Sequence, residues 1–483
     1  MSTSNNSPSR ILVWDDIILD LQDALASMET AVYIVGGAVR DAYMRRPIKD
    51  IDMATPGSGM AVARKIANVM RGDYYALDSE RNVGRALVKT SAGTLSFDVA
   101  TFRGVDLTSD LLDRDFTINA MAVDLRGNLN ALIDPLGGEQ DLLTRVIRRC
   151  NPHAVLDDPI RALRGVRQSV KYGFRIEPET LKDMRAAAAS LHQVSPERMR
   201  DELFNLLVLE KPEAALRIVE AVGLLQVIAP ETAVLRTLPG QGVFADGFTL
   251  AMHTLEQLNQ LLAAISPQRS DHTAAQFTLG TFVMVSDRYR KALQTHLETT
   301  YPNDRAHRAL LNLSVLCGHL DYKAMEDRAA ALRLSNTERD RLAAIARSRD
   351  AFMQFGFDEP TPLMMYRFWR ATGPAGVDVL LISLARYLAA AGPLLKQDEW
   401  LRVVEQAGAL FSAYFEHYDE WVEPPALLDG RQLIAQLHIK SGPIIGEILE
   451  RIREAQVDGQ IHTSVEALAL ARQILQHPRD QGV

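Results

Sequence analysis

Asp50 and Asp52 are separated by one residue in the segment Lys49-Asp50-Ile51-Asp52. On a β-strand side chains alternate faces, so this spacing turns both carboxylates the same way. Carboxylates held so close repel unless a cation lies between them. Ligands that are all oxygen suit Mg²⁺, which takes one or two carboxylates and fills its shell with water and substrate phosphates. A third carboxylate, Asp98, lies in Leu95-Ser96-Phe97-Asp98-Val99, another strand candidate that can pair alongside. Three such groups can hold two metal ions and activate a hydroxyl for in-line attack on a phosphate. A D-x-D alone equally suits a solvated strand edge, so the residues before it carry weight.

Those residues include Gly36-Gly37, placed between the apolar run Ala31–Val35 and a helix-like stretch, Ala38–Met44. Glycines at a strand–helix turn let the backbone approach a ligand, and the helix start offers N–H groups to an anion. Arg40, one turn into that stretch, can add a charged fork to a phosphate. Gly-Gly is also a common structural turn. Joined to Arg40-Asp41 and the later D-x-D, it reads as a triphosphate and metal site.

A second constellation opens at Asp157-Asp158-Pro159-Ile160-Arg161-Ala162-Leu163-Arg164. Asp157 or Asp158 can cap a helix here, and Pro159 suits its first turn. Asp158 and Arg161 lie three apart, so they share a face. An aspartate accepts from an exocyclic amine and an arginine donates to ring acceptors, a pair that suits the pairing edges of cytosine and adenine. The same spacing also describes a plain i,i+3 ion pair on a solvated helix. Between Arg145 and Arg175 eight Lys/Arg (145, 148, 149, 161, 164, 167, 171, 175) stand against two Asp, a local net of +6 inside a chain of −8. That fits a basic face toward phosphates.

Positioning these groups takes a mixed α/β region. Strand patterns recur at Ile48–Ala54, Arg85–Thr90, Thr94–Phe102 and Ile118–Leu125, with a helical segment near Gly59–Met70 and a turn-rich stretch at Asp134–Leu142. From Asp157 onward strand signals almost vanish and helical periodicity takes over, broken at Pro230, Pro239-Gly240, Pro302 and Pro360. Ser335 and Glu338 form a predicted capping box. Pro424-Pro425 marks a linker before a small helical module, Leu427–Gln476.

The 483 residues predict three or four domains at about 100–200 residues each. A hydrophobic share of 47% and a charged share of 24% describe a well-packed globular protein and exclude disordered, collagen-like and disulfide-scaffold classes. The two cysteines, Cys150 and Cys317, fit a reducing compartment. The N-terminal MSTSNNSPSR lacks the apolar core of a signal peptide, and the longest apolar stretch, Val377–Leu395, is interrupted by Arg386. These features predict a cytoplasmic protein with no membrane span. Its oligomeric state is not legible.

Val35-Gly36-Gly37-Ala38-Val39-Arg40-Asp41, followed by Asp50-Ile51-Asp52-Met53-Ala54-Thr55, resembles the first motif of the class II tRNA nucleotidyltransferases and bacterial poly(A) polymerases. Arg114-Asp115-Phe116-Thr117-Ile118-Asn119-Ala120 is similar to the family's ribose-recognising motif, with Asp113 where a second Arg is usual. The segment from Asp157 to Arg164 resembles its nucleotide-selecting motif, and Ser195-Pro196-Glu197-Arg198 through Leu203 the motif that braces the neck. The resemblance implies an α+β fold with a polymerase β-like head of mixed sheet and helices, followed by an all-helical neck, body and tail. It divides the chain into a catalytic head (1–143), a neck that selects the nucleotide and binds RNA (144–230), a degenerate HD-like body (231–422) and a tail (423–483).

It implies catalysis by Asp50, Asp52 and Asp98, with Mg²⁺ on Asp50 and Asp52. Nucleotide contacts would come from Gly36, Gly37, Arg40, Arg114, Asp115, Asn119, Asp158, Arg161 and Arg164. The substrates would be ATP, CTP and the tRNA 3′ end, in template-independent CCA addition or repair with pyrophosphate release. His253-Thr254-Leu255, Gly318-His319 and Tyr366-Arg367-Phe368 resemble landmarks of the HD-type body. Gly430 through Gly446 resembles the tail that grips the tRNA elbow. No histidine is followed by Asp, so no HD phosphohydrolase activity is expected.

Three alternatives stay open at this point. The eleven residues Phe102–Leu112 form a short connection where the family has a flexible loop that helps the switch to ATP, which suits a CC-adding enzyme. A poly(A) polymerase uses the same motifs with ATP alone. A catalytically decayed RNA-binding protein is the rival from another class.

Overall fold

The computed structural model describes residues 8–476 apart from 49, 92, 270–276 and 357. Lys49 and the first seven residues of the polar N-terminus lie outside the described residues. The chain forms two compact units, Met1–Leu203 with Ala214–Ile228, and Phe204–Glu213 with Ala229–Val483.

The first unit is built on a seven-stranded sheet. Its strands are β1 (Tyr33–Val35), β2 (Asp50–Thr55), β3 (Asp73–Asp78), β4 (Val83–Thr90), β5 (Gly93–Thr101), β6 (Ala122–Asp124) and β7 (Leu132–Ile133). Their order is β3-β4-β5-β2-β1-β6-β7. Only β2 and β5 pair in parallel, while every other neighbour is antiparallel. The β2–β5 register sets Asp52 directly opposite Asp98. Ile51 and Met53, on the other face of β2, are buried with Phe97 and Val99 of β5. The period-two pattern thus sends apolar residues inward and leaves Asp50 and Asp52 on the accessible face.

Helices of this unit include α1 (Asp16–Leu25), α2 (Gly37–Tyr43), α3 (Gly59–Val69), α4 (Leu107–Leu112), α5 (Gly138–Thr144), α6 (Ala154–Asp157), α7 (Ile160–Tyr172), α8 (Pro178–Ala187) and α9 (Pro196–Leu207), the last of which runs across the boundary between units. Several differ from expectation. The predicted strand Ile118–Leu125 is a 3₁₀ turn, Thr117–Asn119, followed by three strand residues. The turn-rich stretch at 134–142 contains α5, started by Gly137 in the left-handed region. The short connection Phe102–Leu112 is largely α4, closed by a capping box between Asp106 and Ser109. Strand β3, at the sheet edge, escaped the sequence pattern because its residues are mostly exposed and do not alternate.

Gly165 lets α7 sit close to the sheet region. A Cβ there would lie 2.1 Å from the Met184 side chain and 2.7 Å from the Phe116 ring. A side chain at this position would have to displace the Met184 end and press on the Phe116 ring.

Among the described residues the second unit is helical apart from the two-residue ribbon Thr300–Tyr301 and Arg305–Ala306 and an isolated bridge between Pro239 and Asp246. Its main core gathers Phe282, Leu293, Leu311, Trp369, Leu380, Leu384, Trp400 and Phe411. The apolar stretch read as interrupted by Arg386 is the helix Gly376–Ala391, and Leu380, Leu381, Leu384 and Ala385 along it are fully buried. The stretch Pro362–Leu394 is long and apolar enough to cross a membrane by composition, and here it supplies core helices. Ser335 and Glu338 form the expected capping box. Beyond Pro424-Pro425, Leu433, Ile448, Ile452 and Ala467 make a separate small core.

Candidate active site

Chemistry concentrates where β1 ends and β2 begins. Gly36 follows β1 with φ +75° and ψ −135°, a conformation that L side chains avoid. A Cβ on Gly36 would stand 2.8 Å from Arg114 NH1 and 3.4 Å from Asp52 Oδ2. Glycine is therefore required twice, by its backbone and by the groups that crowd it.

Asp50 and Asp52 project from the accessible face of β2, as the spacing predicts. Although Asp52 keeps solvent-accessible surface, the protein mass around it desolvates its carboxyl and raises the pKa above the usual range. Arg114 opposes this, and the like charges of Asp98 and Asp50 reinforce it. Desolvation and mutual repulsion are the conditions that a divalent cation relieves. The cluster therefore fits Mg²⁺ by its all-oxygen donors and by the like charges gathered around Asp52.

Asp98 is alongside but already partnered. Arg85, opposite it on β4, donates from Nε at 2.7 Å and NH2 at 2.6 Å to the two carboxylate oxygens. In the sequence Arg85 marks only the start of a strand pattern. Its role depends on the antiparallel β4–β5 register, which no local pattern reveals.

Arg40 is not presented as a free phosphate fork. It is buried, its Nε and NH2 donate to Asp41 at 2.9 and 3.0 Å, and NH1 donates to Asn119. Its guanidinium also lies 4.8 Å over the Tyr172 ring, which Arg46 approaches at 4.9 Å. Largely withdrawn from solvent, the guanidinium places its donors on the nearest acceptors. Arg40 therefore anchors Asn119 and α7.

Asn119 in turn donates to Asp115 at 2.9 Å and to Gln168 of α7 at 3.1 Å. Asp115 also accepts from the Phe116 N–H at 2.8 Å and pairs with Arg164 at 3.0 Å. Burial works against its charge, yet Arg164, Asn119 and the backbone N–H hold its pKa below the usual range. Arg164 is raised chiefly by Asp115. Arg114 pairs with Asp110 at 3.2 Å, an i,i+4 pair that spacing along α4 makes readable. Gln168 carried no such signal.

Asp158 and Arg161 come together, but not as expected. Neither Asp157 nor Asp158 caps α7. Asp157 ends α6, Asp158 is extended between the two helices, and Pro159 occupies the cap position without a side-chain bond. The Asp158 carboxylate is used elsewhere. It pairs with Arg198 at 2.8 Å and lies 3.8 Å from Arg161. Arg161 donates to the carbonyls of Asp113 (2.8 Å), Ala154 (3.0 Å) and Arg114 (3.3 Å). The Asp113 contact uses the backbone, so its side chain, where the family has Arg, leaves it intact.

The local net of +6 is also largely paired. Arg148 meets Asp141 and Glu177, Arg149 meets Asp183, Arg164 meets Asp115, and Arg167 meets Glu202 at 2.5 Å. Asp141, Glu177, Asp183 and Glu202 all come from outside the counted segment, so a charge count along it does not pair them.

Known proteins agree with this architecture. Residues 32–148 match the Poly A polymerase head domain, and residues 173–235 match the "Probable RNA and SrmB- binding site of polymerase A". An A-adding tRNA nucleotidyltransferase of Deinococcus radiodurans is 31% identical over 91% of this chain and 94% of its own. A CC-adding tRNA nucleotidyltransferase of Synechocystis is 28% identical over 93% and 95%. The fold is similar to that of the Thermotoga maritima CCA-adding enzyme complexed with tRNA, with a TM-score of 0.57, 22% identity and 95% of each chain covered. The chain therefore belongs to the tRNA nucleotidyltransferase family and is an enzyme of nucleotidyl transfer.

Proposed function

We propose that this enzyme adds or repairs the 3′-terminal CCA of tRNA from CTP and ATP, without a template and with pyrophosphate release, in the cytoplasm. The observation that carries the reading is the convergence of Asp52, Asp50, Asp98, Gly36 and Arg114 at one mouth of the sheet. Asp50 and Asp52 would hold Mg²⁺, with Asp98 completing the acidic cluster. A metal held by these two carboxylates would supply Lewis acidity toward the attacking 3′-hydroxyl and positive charge for the transferring phosphate.

The chain's own groups divide the remaining work. The side-chain-free turn at Gly36-Gly37 leaves space for a triphosphate beside Arg114. Asp115, kept ionised by Arg164, presents an acceptor for a ribose hydroxyl. Asp158 and Arg161 read the base edge after exchanging their present partners, Arg198 and the carbonyls of Asp113 and Ala154. Arg40 positions Asn119 and so the Asp115 carboxylate.

A second reading, addition of CC only, is favoured by the connection before Arg114. Phe102–Leu112 is short and mostly the capped helix α4, and Arg103 ties it to Asp113 at 3.2 Å. Labelled CTP and ATP, separately and together, supplied to tRNA transcripts ending before CCA, after C and after CC, distinguish the readings. Ordered growth ending at CCA supports the proposal, and a halt at CC supports the second reading. An ATP ladder on many RNAs indicates a poly(A) polymerase. No incorporation overturns both readings of CCA chemistry.

A further inference from the structure

The helical body holds a second cluster of potential metal ligands that the nucleotidyl transfer chemistry does not use. His296 stands near the end of the helix Arg290–Leu297, His307 begins the helix His307–Leu316, and Asp378 lies in the first turn of the helix Gly376–Ala391. His296 Nε2 is 2.6 Å and His307 Nε2 2.8 Å from the same Asp378 oxygen, Oδ1. The two rings meet nearly edge-on, with centroids 5.0 Å apart. One ligand atom from each residue lies within 4.8 Å of the others.

Two features go beyond a satisfied ion pair. First, Asp378 is fully buried, and its Oδ1 is crowded by two imidazole nitrogens while Oδ2 accepts no hydrogen bond. Arg341 faces Oδ2 as an ion pair at 3.3 Å. Oδ1 is therefore the shared focus of both imidazole nitrogens, while the cation faces the other oxygen. Second, Tyr301 OH meets His307 Nδ1 at 2.9 Å, so the ring nitrogen away from Asp378 is held by an outer partner. Metal-bound histidines are oriented in this way.

We propose that His296, His307 and Asp378 form a binding site for a zinc-class divalent transition-metal ion. Two imidazole nitrogens and one carboxylate oxygen are a borderline donor set that suits Zn²⁺ or Co²⁺ better than Mg²⁺, which prefers oxygen alone. Asp378 and His307 are closed off from solvent and His296 keeps 14% of its side-chain surface, so a fourth ligand, such as water, enters from the His296 side. The ion ties together three helices that converge from positions 296, 307 and 378. Because no histidine precedes an aspartate, the HD doublet signature does not mark this cluster.

The test uses the full chain stripped of metal and titrated with Co²⁺, read by visible d–d absorption. The D50N/D52N double variant is run in parallel so that the acidic cluster of the head does not contribute. The expected result is one equivalent of Co²⁺ with the intense bands of low-coordinate cobalt in the D50N/D52N protein, the same bands in the wild type, and displacement of both by Zn²⁺. H296Q, altered at the partly exposed ligand, loses the bands. Y301F keeps them with affinity lowered about 10–100-fold, the range for outer partners of metal ligands. Absence of the bands in the D50N/D52N protein, or bands that persist unchanged in H296Q, overturns the proposal. If H307Q or D378N fails to fold, H296Q and Y301F still decide it.

Discussion

The acidic cluster of the head and the carboxylate centre of the body solve opposite problems. In the head, Asp50, Asp52 and Asp98 are like charges from two parallel strands, and enclosure together with their repulsion raises Asp52. In the body, Asp378 is fully buried, yet His296, His307 and Arg341 surround it, and its pKa falls below the usual range despite the penalty of burial. The head keeps like charges only partly offset by Arg85 and Arg114 at an accessible mouth, which suits exchange of substrate and metal. The body neutralises its charge inside the core, which suits a permanent tie between helices. A carboxylate's exposure and company, more than its residue type, therefore decide whether it costs or contributes stability.

Replacing the two aspartates separates these roles most sharply. D52A should lower single-turnover incorporation by more than about 100-fold, since changes to outer partners of a metal site alone cost about 10–100-fold. Filter binding should show tRNA affinity nearly unchanged. Incorporation that survives D52A would remove Asp52 from the site.

Stability should respond in the reverse sense. D378N leaves Arg341 and two imidazoles around a neutral amide, and breaking such a buried arrangement costs about 3–5 kcal/mol. Urea unfolding of the metal-free protein measures this. D52N in the same assay should be neutral or stabilising, because it removes a repelled charge. Equal destabilisation by both variants would erase the contrast.

G36A tests the backbone of the head. The left-handed φ costs about 1–2 kcal/mol in an L residue, and the new methyl presses on Arg114 and toward Asp52. Both stability and kcat should fall, whereas a purely structural turn would lower stability alone. The smallest effect belongs to the body. S335A removes one side of the Ser335–Glu338 box and should cost about 1 kcal/mol in thermal unfolding, with incorporation unchanged.

Much of the head was legible. Strand alternation placed Asp50 and Asp52 on one face, and the strands around β2, β4 and β5 lie within a few residues of expectation. The segment 118–125 read as a strand because it is apolar. Its second half is strand β6, but its first residues fold as a 3₁₀ turn, with the Asn119 side chain bonded to Asp115, Gln168 and Arg40. Arg40 looked like a phosphate ligand because its type and position allow that role, and only burial beside Asp41 and Asn119 reveals its other use. The cap at Asp157-Asp158 failed for a similar reason, since a second short helix, α6, uses the same residues.

What the sequence by itself determined was local. The D-x-D face, the glycines of the turn, the capping box at Ser335 and the apolar stripes of the helices all follow from backbone periods of two and 3.6 residues. Only the tertiary structure decided which distant groups meet. Arg85 reaches Asp98 through an antiparallel register, Arg198 takes Asp158 from 40 residues away, and His296, His307 and Asp378 converge from three helices. Such partners are chosen by nonlocal packing and by the need of buried charges for company, and neither leaves a fixed spacing along the chain.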